Sequence, residues 1–122
     1  HTDNTGQYSK KGNEKGVHKW HGRLHGWLKT DAHGRYEMRS IRPAPYPGSQ
    51  GPAHIHKVVK LPGSGETFYI GDFIFDDDPA VQKMLKSAGN NMLNSADVVS
   101  LKMKNGVWVG TTNVIINKHS GN

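Results

Sequence analysis

Apolar positions fall in short runs along this chain, and turn-forming residues interrupt nearly every run before a long helix could build. In residues 20–30 the apolar Trp20, Leu24 and Leu28 fit either period, but Gly22, Gly26 and the Asp-Ala-His-Gly turn at 31–34 favour a strand entering a hairpin, with residues 35–41 as the return strand. Residues 42–48 read Arg-Pro-Ala-Pro-Tyr-Pro-Gly; each proline fixes φ and removes a donor, so this is a stiff loop carrying Tyr46. Residues 54–61 and 68–75 are strand-like and are joined by a Pro-Gly-Ser-Gly turn at 62–65. One helix is expected over 79–88, with Asp78 as N-cap, Pro79 at the first helical position, Gly89 beyond the end, and Val81, Met84, Leu85 and Ala88 as its buried stripe. Residues 98–104 and 107–116 flank Asn105-Gly106, the strongest short hairpin signal. Residues 1–19 are polar and glycine-rich, without a period, and read as an exposed loop with Tyr8 as its one aromatic. The pattern predicts an all-β chain, a two-sheet β-sandwich with one short helix, forming a single domain over residues 1–122.

Composition agrees with short elements and many turns: 122 residues, 34% apolar, with 15 Gly and 6 Pro. A net charge of +6 is compatible with nucleic acid or with an acidic aromatic ligand. Beyond Lys10, Lys11, Lys15 and Lys19 the basic residues are dispersed and lack interleaved aromatic platforms, so no nucleic-acid partner is expected. With no cysteine, thiolate sites and disulfides are excluded, and any metal must bind through nitrogen and oxygen. No apolar run approaches the ~20 residues of a membrane span, and no membrane partner is expected. The chain starts at His1 rather than Met, which reads as a processed or partial product, and localisation is left open.

The candidate chemistry begins at His54-Ile55-His56. In an extended segment the two imidazoles share one face, so two nitrogens can reach one ion. The pattern alone is more often that of a solvated or otherwise satisfied polar pair than of a metal site. Eight residues upstream, prolines on both sides hold Tyr46 rigidly, either as a ring packed on the sheet or as a phenolate donor made accessible by a cation.

The stretch GRYEMRSIRPAPYPGSQGPAHIH, residues 34–56, resembles the signature of the intradiol ring-cleaving dioxygenases. The resemblance implies that Tyr46, His54 and His56 are iron ligands, and that a fourth, Tyr8, lies in the upstream segment Asp3-Asn-Thr-Gly-Gln-Tyr8. It further implies Fe(III) as cofactor and, as substrates, a catechol-type aromatic and O2. The ring would open between its hydroxyls to a muconate-type diacid. Tyr46 would be the displaceable axial ligand and a proton acceptor, Tyr8 and His56 equatorial, and His54 axial. The family places strands before the Tyr8 segment, so the resemblance implies an N-terminally incomplete catalytic domain. Either those strands were removed, or a neighbouring subunit covers the edge, which makes a homo-oligomer possible.

Two positions depart from the family. Where many members carry an Arg before the Pro-Ala-His-Ile-His motif this chain has Gly51, and where they carry a Gln after the second His it has Asp72. Gly51 and Asp72 are therefore the expected substrate-side positions, with Arg42 or Arg39 as the nearest basic replacement. His18, His21, His25 and His33 read as solvated strand and turn residues, Trp20, Trp27 and Trp108 as core or sheet-face residues, and Asp76-Asp77-Asp78 as a helix N-terminal acidic cluster. Two functions compete: the ferric dioxygenase, and a metal-containing β-sandwich module that binds an aromatic or carbohydrate ligand without turnover.

Overall fold

The computed structural model describes residues 1–9, 13–87 and 96–116. Its regular structure is mostly strand, in two sheets, and the chain is all-β. Strands β1 (His54–Lys60) and β2 (Thr67–Phe75) form an antiparallel hairpin, and β3 (Asp97–Val99) adds in parallel to the end of β2. A second sheet pairs β4 (Lys102–Lys104) with β5 (Val107–Val109) across Asn105-Gly106, where Asn105 is the one non-glycine residue at positive φ among the described residues. That turn and the β1–β2 hairpin lie where the hydrophobic pattern put them.

Among the described residues there are two short helices where one was expected: α1 (Val17–His21) and α2 (Pro79–Lys86). The second begins as foreseen, with the Asp78 carboxylate accepting the Ala80 N–H at 2.8 Å and proline in the first turn. Its expected last residue, Ala88, and Gly89 lie outside the described residues.

The N-terminal half corrects several expectations. Residues 20–30 form no strand: Trp20 and His21 complete α1, which Gly22 ends at φ 79°, and Gly22 is then packed against Tyr8 instead of entering a ladder. The turn at 31–34 does form, because Asp31 Oδ1 accepts the N–H groups of His33 and Arg35 and Gly34 takes φ 77°. Residues 35–41 leave it without a ladder partner among the described residues. Nor are residues 1–19 simply an exposed loop, since Thr2 is only 3% exposed and Val17 to Lys19 are helical. The long strands expected over 98–104 and 107–116 are shorter. After β3 the chain leaves the first sheet at Ser100-Leu101, and β5 stops before Gly110, where a Cβ would run into Val99 and Leu101.

Apolar burial is concentrated at the end of β2, where Phe73, Ile74 and Phe75 are all buried and residues of both faces are covered. Phe73, Phe75 and Val99 form one cluster, onto which Tyr36, Ile55, Leu101 and Val114 pack. Lys57 closes its edge, with Nζ 3.8 Å from the Phe73 ring centre and an ion pair to Asp97. Beside this cluster, between residues 36–43 and the β4–β5 hairpin, lies an open groove of about 990 Å³. The tryptophans expected in the core or on a sheet face are exposed: Trp20 and Trp27 at 77%, neither on a strand, and Trp108 at 60% on β5. No helix among the described residues is long and apolar enough to cross a membrane.

Candidate metal centre

Three stretches of chain, the first of them 38 residues before the second, bring four nitrogen and oxygen atoms together. His54 and His56 sit two apart on β1 and project from one face. The proline loop brings in Tyr46, and residues 1–8 wrap across that loop to bring in Tyr8. The wrap is specified by short polar side chains. Asp3 Oδ1 accepts from Thr5 N, Thr5 Oγ1 and Gln7 N at 2.8, 2.6 and 3.2 Å, which folds residues 3–7 into a closed turn. These hydrogen bonds hold the Asp3 carboxyl down at about 2, below the usual carboxylate value. The turn is laid on the proline loop by Ala44 N–H donating to the Asp3 carbonyl at 2.9 Å and by Thr2 Oγ1 donating to the Ala44 carbonyl at 2.7 Å. Gly6 makes the approach possible: its φ is 83°, and a Cβ there would strike the Pro45 carbonyl. Behind Tyr8, a Cβ on Gly22 would lie 2.7 Å from the ring, and Arg23 N–H donates to the Tyr8 carbonyl at 2.9 Å.

The result is a tight polar cluster. Tyr8 Oη lies 2.6 Å from Tyr46 Oη and 3.1 Å from His56 Nε2. Tyr46 Oη lies 3.0 Å from His54 Nε2 and 3.5 Å from His56 Nε2, and the two Nε2 atoms are 3.2 Å apart. The far nitrogen of each ring is occupied. His54 Nδ1 faces the Pro52 carbonyl at 3.0 Å and His56 Nδ1 faces the Asp72 carboxylate at 2.9 Å; both partners can only accept, so both Nδ1 atoms carry the protons. Each Nε2 then presents a lone pair to the centre. Two phenol protons must serve five close contacts, and the two facing imidazole lone pairs have none between them.

A cation at the centre of these four atoms would resolve that conflict. Four ligands of one ion with bonds of about 2.0–2.2 Å stand roughly 3–3.5 Å apart, close to the spacing here. Burial raises the Tyr8 phenol above its ordinary value near 10, helped by the hydrogen bond to Tyr46 and by the Asp72 carboxylate, so without a cation Tyr8 stays protonated. His54, His56 and Asp72 also bring three donor atoms within 4.8 Å of one another. Asp72, however, stands on the Nδ1 side of His56 and Tyr8 on the Nε2 side, so the carboxylate orients the imidazole and the phenol faces the nitrogen left free.

The positions expected on the substrate side each have partners within the chain. Gly51 offers no side chain, and its N–H donates to Ser49 Oγ at 3.0 Å. Asp72 is engaged by His56. A ladder irregularity puts it there, for β2 carries Gly71-Asp72 opposite the single residue His56, between the pairs Ile55 with Phe73 and Lys57 with Ile70. Arg42 is held by both oxygens of Asp77, at 2.8 and 2.6 Å, with its guanidinium 4.7 Å from the Phe75 ring centre. Arg39 pairs with Glu37 at 3.0 Å.

A family model described as dioxygenase matches residues 1–111, which takes in every residue of this cluster. The chain belongs to the intradiol ring-cleaving dioxygenase family. No curated protein and no solved structure matches the chain. Membership makes this an oxygenase-type domain of a family known for non-haem iron, and the nitrogen and oxygen donors at its centre are chemically suited to that metal. Sequence reasoning for this dioxygenase missed the supports of the cluster: Pro52, Gly22, Arg23 and the role of Asp72. Asp3 had a legible signal, an Asp two residues before Thr5 in a turn; a glycine at positive φ behind Tyr8 has none.

Proposed function

We propose that residues 1–122 act as one catalytic unit that holds Fe(III) through Tyr8, Tyr46, His54 and His56 and opens catechol-type rings between their two hydroxyls with O2. The convergence of four donor atoms at 2.6–3.5 Å, with both Nδ1 atoms already committed elsewhere, carries this reading. Two phenolates and two neutral imidazoles favour the ferric over the ferrous ion. When bound, ferric iron supplies a Lewis-acidic centre that stabilises a catechol as its dianion and makes the ring reactive toward dioxygen.

The residues of the chain have distinct parts in this. Pro52 and Asp72 hold the imidazoles with Nε2 inward, so that neither ring must reorient when a ligand arrives. Tyr46 is 38% exposed on a loop fixed by prolines, so the residue can be reached by an incoming ring and its phenolate can accept a hydroxyl proton from it. Tyr8 is backed by Gly22 and tied through its carbonyl, so its Oη stays in position while Tyr46 exchanges its proton.

One observation favours a second reading, a metal-holding module that binds an aromatic or carbohydrate without turnover. The residues expected on the substrate side are engaged within the chain, Arg42 with Asp77 and Asp72 with His56, and Gly51 has no side chain. The deciding experiment measures oxygen consumption of the iron-loaded protein over a panel of catechols, with product analysis. A muconate-type diacid supports the dioxygenase; catechol binding without oxygen uptake supports the module. A homo-oligomer belongs to the same reading and is checked by light scattering.

A further inference from the structure

Three more histidines gather outside the four-donor cluster, at the end of α1. His18 and His21 are one turn apart on that helix, which puts them on one face, and His25 follows in the next loop. The His18 and His25 rings meet edge-on with centres 5.3 Å apart, and the His21 ring lies 6.1 Å from that of His25. His25 Nδ1 is 2.7 Å from the Gly22 carbonyl, which can only accept, so Nδ1 is protonated and Nε2 keeps its lone pair. That is the arrangement of an imidazole ligand whose other nitrogen is anchored by the backbone. All three residues are exposed.

We propose that His18, His21 and His25 form a second metal site, taking a divalent late first-row ion such as zinc or copper through neutral imidazole nitrogens. The donor set has no phenol or carboxylate oxygen, which separates its preference from that of the Tyr8–Tyr46 centre. The three nitrogens do not meet at one point as they stand, since His54, His56 and Asp72 are the only described His, Cys, Asp or Glu residues that bring three donors within 4.8 Å. His18 and His25 are already adjacent. Closing the site requires the exposed His18 and His21 side chains to turn about their own bonds toward the anchored His25, a motion of picoseconds to nanoseconds.

The ion would also reach the first site mechanically. Gly22 and Arg23 lie between His21 and His25, and they are the residues that back the Tyr8 ring and hold its carbonyl. Metal bridging α1 to His25 fixes that turn and stiffens the support of Tyr8.

The test is a zinc titration of the full chain. In a His54→Gln/His56→Gln background, which disables the first centre, one zinc should still bind. Adding His18→Gln, His21→Gln and His25→Gln together should abolish it, and His25→Gln alone should weaken it by more than the ~10–100-fold typical of losing an outer-shell partner. Independently, in the chain with both wild-type centres, zinc should slow hydrogen exchange at the Arg23 amide, and His25→Gln should remove that effect and lower the zinc stoichiometry by one. Zinc binding that survives loss of all three histidines, or an Arg23 amide indifferent to zinc in the wild-type chain, overturns the proposal.

Discussion

The segment around Tyr8 and the face around Trp108 are made of similarly polar, glycine-punctuated chain, yet one is pinned at almost every residue and the other is open. Near Tyr8, Asp3 closes a turn, Thr2 and Ala44 exchange hydrogen bonds with the wrap, and Gly6 and Gly22 allow backbone and ring to approach to contact distance. Near Trp108, the groove of about 990 Å³ separates the β4–β5 hairpin from residues 36–43, and Met103, Val107 and Trp108 stand exposed. The difference shows where the molecule spends its order. Positional accuracy at the four donors comes from short polar side chains and glycines acting on backbone, not from a large apolar core.

The sharpest break of this contrast is Gly6→Val. It places a branched side chain at φ 83° and against the Pro45 carbonyl, combining left-handed strain with overpacking. The expected loss is about 2–4 kcal/mol from the packing of the N-terminal wrap. Tyr8 should leave the cluster with it, seen as reduced iron retention and faster exchange at the Ala44 amide. Retained iron with unchanged exchange would show that the wrap is not what positions Tyr8.

Asp78→Ala should come next, at about 1–3 kcal/mol in denaturant unfolding. The buried carboxylate caps α2 through Ala80 N–H and also accepts Ala53 N–H at 3.1 Å, one residue before His54, so its removal leaves a buried donor beside the site. An Asn replacement, which keeps an acceptor for one of the two, should recover part of the loss.

Acid should release the Tyr8 wrap through Asp3. Because the folded carboxyl lies at about 2, below its ordinary value of 3.8, its contribution is present above pH 3.8 and lost as pH falls through about 2. The wrap should therefore be indifferent to pH between 5 and 8 as far as Asp3 is concerned, and Asp3→Asn at pH 7 should reproduce the acid effect on exchange at the Gln7 amide. Trp108→Ser should have the smallest effect, within ~0.5 kcal/mol, as expected for a largely exposed side chain on the open face. A loss of several kcal/mol there would mean that the face is covered in solution.

Legibility follows the same division. Period-two alternation and turn chemistry located β1, β2 and the Asn105-Gly106 hairpin, and Asp78-Pro79 located the start of α2, because those signals are local. Residues 20–30 were misread because Trp20, Leu24 and Leu28 carry no decisive period, and what settles their course is a tertiary contact, Gly22 against Tyr8. The spacing of His54 and His56, and the rigidity around Tyr46, were readable from residue types alone. Tyr8 was readable only through the family resemblance, since nothing local says that a chain end folds back across a loop 38 residues away. Asp72 was read as facing substrate. The irregular ladder that turns it onto His56 comes from strand pairing, which the pattern does not reveal.

The central claim, a four-donor iron centre with unequal tyrosines, is tested most directly by iron content, visible spectrum and turnover measured side by side for Tyr8→Phe and Tyr46→Phe. The account predicts that Tyr8→Phe lowers both iron occupancy and ferric–phenolate colour. Tyr46→Phe should keep its iron while turnover falls by ~10²–10⁴-fold, as expected for losing a proton acceptor. A Tyr46→Phe protein without iron, beside a Tyr8→Phe protein that keeps both metal and activity, would contradict it.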